Sequence, residues 1–436
     1  MKVVEHIGFI GIAVLLLLVF SGMRVAYAVM LVGGLGLFLV RGFSGGGVGE
    51  FLGYIPTSLA GTYTYSVIPL FILMGYFVYY SGLTDELFEC ASAWVRHIPG
   101  GLPIATALSC GVFAATSGAS VASSAIFAKI AIPKMLDANV DKRLAAGIVA
   151  TGGTIAALIP PSAIMVIFAI LTEQSVAFML MAGVLPGILT ILFLVLIIYI
   201  RAKLDPALAP TLPAASWKER FQTTKKIFAI PAIIVIIIGG IYTGMFSPTE
   251  AGGMGAFVAL IMVIAKRKLT MKVLMESLVE TVKTTSFVFF LMIAITIFLR
   301  FLVLTGTVGA ITGFALDLPI SPIAVLTVIL LIHVLLGMFM DAISMMMLTV
   351  PIFFPVVVAL GYNPIWLGIL VVKMGELSLI TPPIGLNCYV VAGSTDRVSV
   401  DDVFRGILPF TLADVAVVIL VIIFPALALY LPSMMG

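Results

Sequence analysis

The chain reads as an all-α polytopic membrane protein of two inverted structural repeats, each with a re-entrant helical hairpin and a broken transmembrane helix. Its 436 residues are 62% hydrophobic and only 10% charged, with a mean hydropathy of +1.27, the composition of a chain that crosses a bilayer many times. The stretch Lys373 to Asn387, K-M-G-E-L-S-L-I-T-P-P-I-G-L-N, places glycine, an acid, hydroxyls and a proline pair inside an apolar segment, which suits no unbroken membrane helix. A near-copy, T-G-G-T-I-A-A-L-I-P-P-S, stands at Thr151 to Ser162. Paired breaks of this kind mark a duplicated membrane unit.

Composition also excludes. The formal net charge of +3 is small and unevenly placed, so it bears on orientation and gives no reason to expect nucleic acid. Cys90, Cys110 and Cys388 stand singly in or beside apolar segments and read as buried thiols, not as a disulfide framework or metal site. The apolar run from Ile7 lacks a small-residue cleavage site and reads as a retained span. The longest polar stretch, Arg201 to Lys226, is a loop with a short amphipathic piece. Whatever is recognised in water must be presented by the membrane part or by a partner.

Taken in order, residues 1–53 supply N-terminal scaffold spans, Ile7 to Met23 and Val25 to Val40, and the glycine-rich turn Gly42 to Gly49. The first repeat, 54–200, opens with a span at Tyr54 to Tyr80 and an amphipathic surface segment at Thr84 to His97. Its hairpin, 103–136, follows from two short apolar arms around Thr116-Ser117-Gly118-Ala119-Ser120. The broken helix, 144–171, is interrupted at Gly152-Gly153-Thr154 and Pro160-Pro161, and a plain span follows at Val176 to Ile200. Residues 201–283 form a basic cytoplasmic loop and connecting spans, with uninterrupted crossings at Ile227 to Phe246 and Ala251 to Ala265. The second repeat, 284–436, has a span at Ser286 to Leu304 and a surface segment at Thr305 to Asp317. Its hairpin, 319–360, turns at Phe339-Met340-Asp341-Ala342; a broken helix, 365–391, and a last span at Ile407 to Leu431 complete it.

Charge sets the orientation. With Arg201 to Lys226 in the cytoplasm, crossings counted both ways put most of the 23 lysines and arginines inside. Gly42 to Gly53 and Thr305 to Asp317, which contain none, fall outside, and both termini fall outside too. The same count makes the two hairpins enter from opposite faces, which is what makes the repeats inverted.

At each break, glycine can end one half-helix and proline begin the next. The first half-helix leaves carbonyls bare and the second leaves N–H groups bare. Bringing a hairpin tip against a break therefore gathers cation-binding oxygens beside anion-binding helix N-termini. One cluster joins Ser117, Gly118 and Ser120 to Gly152, Gly153 and Thr154; the other joins Met340 and Asp341 to Gly375, Glu376 and Thr381. Hydroxyls and carbonyls suit a hard cation such as Na⁺, with at least two sites. Ser120, Pro161, Ser162, Pro383, Asn387 and Arg300 are candidates for the substrate. Plainer readings stand beside these: Asp341 can simply cap a hairpin arm, Glu376 can pair with Lys373 three residues away, and Arg300 can snorkel. His333 and Met345 to Met347 read as packing.

A stand-alone proton-coupled transporter or antiporter of organic anions would use His333, Asp341 and Glu376. An enzyme is not expected, since the chain contains no H-E-x-x-H, no G-x-S-x-G and no metal-holding carboxylate cluster.

The S-G-A-S tip, G-G-T-I-A-A-L-I-P-P-S, the tip G-M-F-M-D and M-G-E-L-S-L-I-T-P-P-I-G-L-N, in this order of spans, resemble the large membrane subunit of tripartite ATP-independent periplasmic (TRAP) transporters over essentially the whole chain. The resemblance implies an elevator-type secondary transporter of the bacterial inner membrane, importing organic acids such as C4-dicarboxylates or sialic acid by symport with sodium. The moving block would be about 84–200 and 305–432. It implies ion sites at Ser117, Gly152, Gly153 and Thr154 and at Asp341, Gly375, Glu376 and Thr381. Two partners are implied besides the lipid bilayer: a periplasmic substrate-binding protein and a small membrane subunit of about four spans. Since this chain begins directly at the large subunit, the small one is expected as a separate polypeptide.

Overall fold

A computed structural model describes residues 2–41, 47–118 and 120–435, without the side chains of 2–5, 47–52 and 115–117. The described residues are almost entirely helical. Two apolar helices, α1 (Lys2–Phe20) and α2 (Val25–Arg41), come first, then α3 (Gly47–Ala60) and α4 (Val67–Tyr80). The expected single span at 54–80 is therefore two pieces. Between them the Thr62 hydroxyl bonds back to the Ser58 carbonyl (2.9 Å) and a 3-10 turn covers Tyr63–Ser66, a local competition with the helix that hydroxyl residues often win. Residues 42–46 of the expected glycine-rich turn lie outside the described residues.

The amphipathic α5 (Leu83–Val95) leads into a hairpin, α6 (Gly101–Ser117) and α7 (Ser120–Asp137). A helix interrupted in its middle follows as α8 (Lys142–Thr154) and α9 (Ala163–Leu171), and then the long α10 (Val176–Leu204). The connecting region holds α11 (Trp217–Ile227), α12 (Ala229–Ile234), α13 (Gly240–Tyr242) and α14 (Pro248–Ala265). The crossing expected to be uninterrupted at 227–246 instead contains a π-helical stretch, Val235–Gly239, and meets α11 at a 43° bend. Gly240 there lies so close to the Phe246 ring that a Cβ would stand 2.2 Å from it. Hydropathy does not register such a distortion.

The same order then recurs. After α15 (Met271–Leu304) and α16 (Thr307–Asp317) come a hairpin, α17 (Pro322–Gly337) and α18 (Ala342–Ala359), and an interrupted helix, α19 (Pro364–Ile380) and α20 (Leu386–Gly393). The chain ends with α21 (Val400–Ile423) and α22 (Ala426–Ser433). Helix α15 starts well before the expected Ser286. At 1.5 Å per residue it is about 51 Å long, more than the roughly 30 Å hydrocarbon core. Its charged first turns, paired as Lys272–Glu276 and Lys283–Glu280, hide the helix from an apolar reading. The last span also shifts: a Ser399–Asp402 capping box starts it early and Phe424-Pro425 ends it. Among the described residues, six helices are long and apolar enough to cross a membrane, or seven if the bent pair from α11 to α13 counts as one.

Packing sorts these elements into two groups. Helix α15 packs on α2 and α4, α4 on α14, and α1 on α2. The hairpins and interrupted helices pack on one another, and each hairpin also reaches the other set: α7 packs on α8 and α20, α18 on α19 and α9. Helices α8 and α21 cross where Gly147 meets Gly406, so close that a Cβ on Gly406 would sit 1.9 Å from the Arg143 carbonyl oxygen. Small residues permit such backbone approach in membranes.

Candidate functional site

Each hairpin turns where its sequence supplies the right backbone. Gly118 closes the first at φ 57°, in the left-handed region glycine enters freely. Asp341 starts the second: its Oδ1 accepts from the Ser344 N–H (2.9 Å), and its other oxygen accepts from the Ser344 hydroxyl (2.5 Å). Ser162 caps α9 by accepting from the Met165 N–H (3.4 Å). Both proline pairs, Pro160-Pro161 and Pro382-Pro383, have cis peptide bonds. The first pair is buried with Ser162, whereas Pro382, Pro383 and Ile384 are exposed.

The first tip lies against its break; the second lies against Gly375, which the sequence placed at the end of a half-helix but which sits inside α19, five residues before its end, with its carbonyl accepting from the Ser378 hydroxyl (2.5 Å). A Cβ on Gly153 would stand 2.0 Å from the Ser124 hydroxyl oxygen and 2.9 Å from the Ser120 carbonyl oxygen, and one on Gly118 3.2 Å from the Pro161 carbonyl oxygen. In the second set, a Cβ on Gly375 would meet Met345 Cε at 3.0 Å and Ala342 Cβ at 3.2 Å. The two sets also touch each other. The Ser120 hydroxyl hydrogen-bonds Glu376, and Asn387 Nδ2 donates to the Ala150 carbonyl (3.4 Å).

A cavity of about 410 Å³ opens at this junction. One wall is aromatic, with Phe71, Tyr76 and Tyr79 of α4, completed by Thr284 and Val288 of α15. The facing wall is built from helix beginnings: Ser120, Val121 and Ala122 start α7, Ala163 and Ile164 start α9, and Ala342 and Ile343 start α18. Bare N–H groups and the positive dipole end make such beginnings anion sites. Asp341 and Glu376 are the charged side chains among the described lining residues.

Gly118, Ser120, Pro161, Asp341 and Glu376 thus share one cavity. Other candidates lie behind it. Thr154 and Thr381 spend their hydroxyls on the Thr151 and Leu377 carbonyls (2.7 and 2.6 Å). Gly152 faces Cys110, and Met340 is buried beside the second tip. Pro383 lies on the exposed turn and Asn387 is buried beyond it. Arg300 is exposed on α15, about 18 Å along the helix from Val288 at 1.5 Å per residue. The Ser117 side chain and all of Ala119 lie outside the described residues.

One expectation is corrected. Lys373 does not pair with Glu376; its Nζ bonds Asp414 of α21 and Thr190 of α10 (3.1 Å). A lone aspartate in an apolar span is a signal readable in sequence, and Asp414 was missed. Thr190, Tyr76, Tyr79 and Thr284 carry no such signal, because only tertiary packing brings them here. His333 is buried, with Nδ1 at 2.7 Å from the Ile329 carbonyl oxygen and its ring 6.0 Å from that of Phe353.

Among the described residues no group of three His, Cys, Asp or Glu side chains gathers for a metal. Oxygens for a hard monovalent cation are present. Glu376 Oε2, Thr151 Oγ1 and Asn387 Oδ1 are buried without a hydrogen-bond partner, and each keeps lone pairs that a cation can use.

Residues 12–427 match the family described as "Tripartite ATP-independent periplasmic transporter, DctM component". The chain is 36% identical over 375 residues to the C4-dicarboxylate TRAP transporter large permease protein of Pseudomonas aeruginosa, covering 86% of this chain and 87% of that one. It is 30% identical over 421 residues to the sialic acid TRAP transporter large permease protein of Vibrio cholerae, covering 96% of each. Among solved structures it is similar in fold to the Alcanivorax borkumensis YdaH transporter, with a TM-score of 0.61 at 12% identity over 88% of this chain and 91% of that one.

Proposed function

Because the chain belongs to the DctM-component family of TRAP transporters, we propose that it is the permease subunit that imports a small organic acid, of the C4-dicarboxylate or sialic acid type, driven by a Na⁺ gradient. The observation that carries this reading is the cavity between α4–α15 and the beginnings of α7, α9 and α18. An organic carboxylate finds there N–H groups on one side and aromatic and aliphatic surface on the other. Na⁺ supplies positive charge and the driving gradient. The oxygens that would hold it belong to Ser120, Gly153, Asp341, Gly375 and Glu376 and their neighbours.

In this reading the hairpins and interrupted helices, about 84–200 and 305–432, move as one block in an elevator motion against α1, α2, α4, α14 and α15. The cavity lies on the seam between the two groups, so a substrate bound to the block is carried past a fixed wall. Both termini are periplasmic. A periplasmic binding protein delivers the substrate, and a small membrane subunit of about four spans joins the scaffold. The test is uptake into proteoliposomes holding all three proteins. Uptake should require an inward Na⁺ gradient and collapse when K⁺ replaces Na⁺; uptake that persists without Na⁺ sinks the coupling, and no uptake of any organic acid sinks the reading.

A further inference from the structure

On an isolated helix Lys373 and Glu376, three residues apart, would neutralise each other. The fold gives Lys373 to Asp414 and Thr190 instead, and Lys373 and Asp414 are only 4% and 1% exposed. Trp366 Nε1 donates to the Val421 carbonyl (2.7 Å) two turns earlier on α19, so α19 and α21 are tied at two levels. Glu376 meanwhile lines the cavity, takes the Ser120 hydroxyl, and leaves Oε2 buried and unpartnered. A buried carboxylate without a counter-charge is costly; one that faces a cavity can recover that cost from a cation entering it.

We propose that Asp414 and Thr190 are positioning residues: by holding Lys373 away from Glu376 they leave this carboxylate free to bind a cation in the cavity. Without Asp414, the Lys373 ammonium turns to the nearest remaining carboxylate, Glu376, and occupies the place as an internal cation. The external cation is either an alkali ion or the ammonium group of a zwitterionic substrate. Tyr76 and Tyr79 line the same cavity, and aromatic rings suit the second. This inference rests on the cavity being the transport site, and not on Na⁺ being the coupling ion.

The experiment follows thermal unfolding of the purified full-length chain in nanodiscs as NaCl, or separately tetramethylammonium chloride, replaces KCl at constant ionic strength. In the wild type one of the two should stabilise. Asp414→Asn should raise the concentration for half-maximal stabilisation by about tenfold or more, the loss of one charge-assisted contact. Glu376→Gln should do the same. Asp414→Asn with Glu376→Gln should be no worse than either alone, because both remove the same group. Lys373→Met with Asp414→Asn, which deletes the competing ammonium, should return to within about threefold of wild type. A stabilising role alone would lower the melting temperature of Asp414→Asn without moving its concentration dependence.

Additive losses in the Asp414–Glu376 double variant overturn the proposal, as does a Lys373–Asp414 double variant that behaves like Asp414→Asn, or a wild type that responds to neither cation. Response to NaCl assigns the cation as an alkali ion; response to tetramethylammonium assigns it to the substrate. Na⁺-independent uptake would end the coupling reading above while leaving these relations intact.

Discussion

Asp341 shows how one side chain holds two duties. It caps α18 through Ser344 and it lines the cavity. Asp341→Asn keeps an acceptor for the cap but loses the charge, whereas Asp341→Ala loses both. Uptake should therefore fall by about tenfold or more in both variants, the loss of a charge-assisted contact. Only Asp341→Ala should also lose about 1 kcal/mol of stability, read by thermal unfolding. Equal uptake by wild type and Asp341→Asn would leave Asp341 as a cap alone. The buried pair behind the cavity makes a different prediction. Asp414→Leu breaks this buried pair and should cost up to about 3–5 kcal/mol, less whatever Lys373 regains from Glu376, whereas Lys373→Met with Asp414→Leu should unfold within about 1–2 kcal/mol of wild type. Glu376 could be read from sequence as a carboxylate out of place, but its neighbour's choice of partner could not. Helical spacing favours Lys373, and only the arrival of α21 and α10 reverses that preference.

The helices break where glycine, proline and hydroxyl residues crowd together, and those breaks were legible because their cause is local. Gly118, Pro160-Pro161 and Pro382-Pro383 act on the backbone whatever surrounds them. The interruption at Gly61–Thr62 and the π-helical stretch at Val235–Gly239 were not legible, since they sit in segments that hydropathy reads as continuous. The early start of α15 was hidden for the opposite reason: its charged turns look like loop. The crossing of α8 and α21 depends on two glycines far apart in sequence. Gly406→Leu must push against the Arg143 carbonyl and the Gly147 backbone. It should yield far less folded protein than Gly393→Leu, where nothing lies within 4 Å of an added Cβ, with fluorescence-detected size exclusion as the measurement.

The cavity belongs to no single helix. Its walls come from α4 and α15 on one side and from both hairpins and both interrupted helices on the other. The meeting of hairpin tips with breaks follows from the duplicated motifs, but the aromatic wall could not be foreseen. Tyr76 and Tyr79 look like ordinary membrane residues until α4 is docked. Thr284→Trp should fill part of the 410 Å³ and reduce uptake by about tenfold, while the melting temperature moves by no more than about 2–4 °C, the effect of roughly 1 kcal/mol. Because α7 packs on α20 and α18 on α9, the order of synthesis carries a consequence of its own. The first hairpin leaves the ribosome long before the half-helix that completes its surroundings exists, and it must wait in the bilayer, incompletely packed, for residues 386–393. A chain cut after Asn363 should therefore insert its spans yet remain open to proteases at the first hairpin, and supplying residues 364–436 as a second polypeptide should close it.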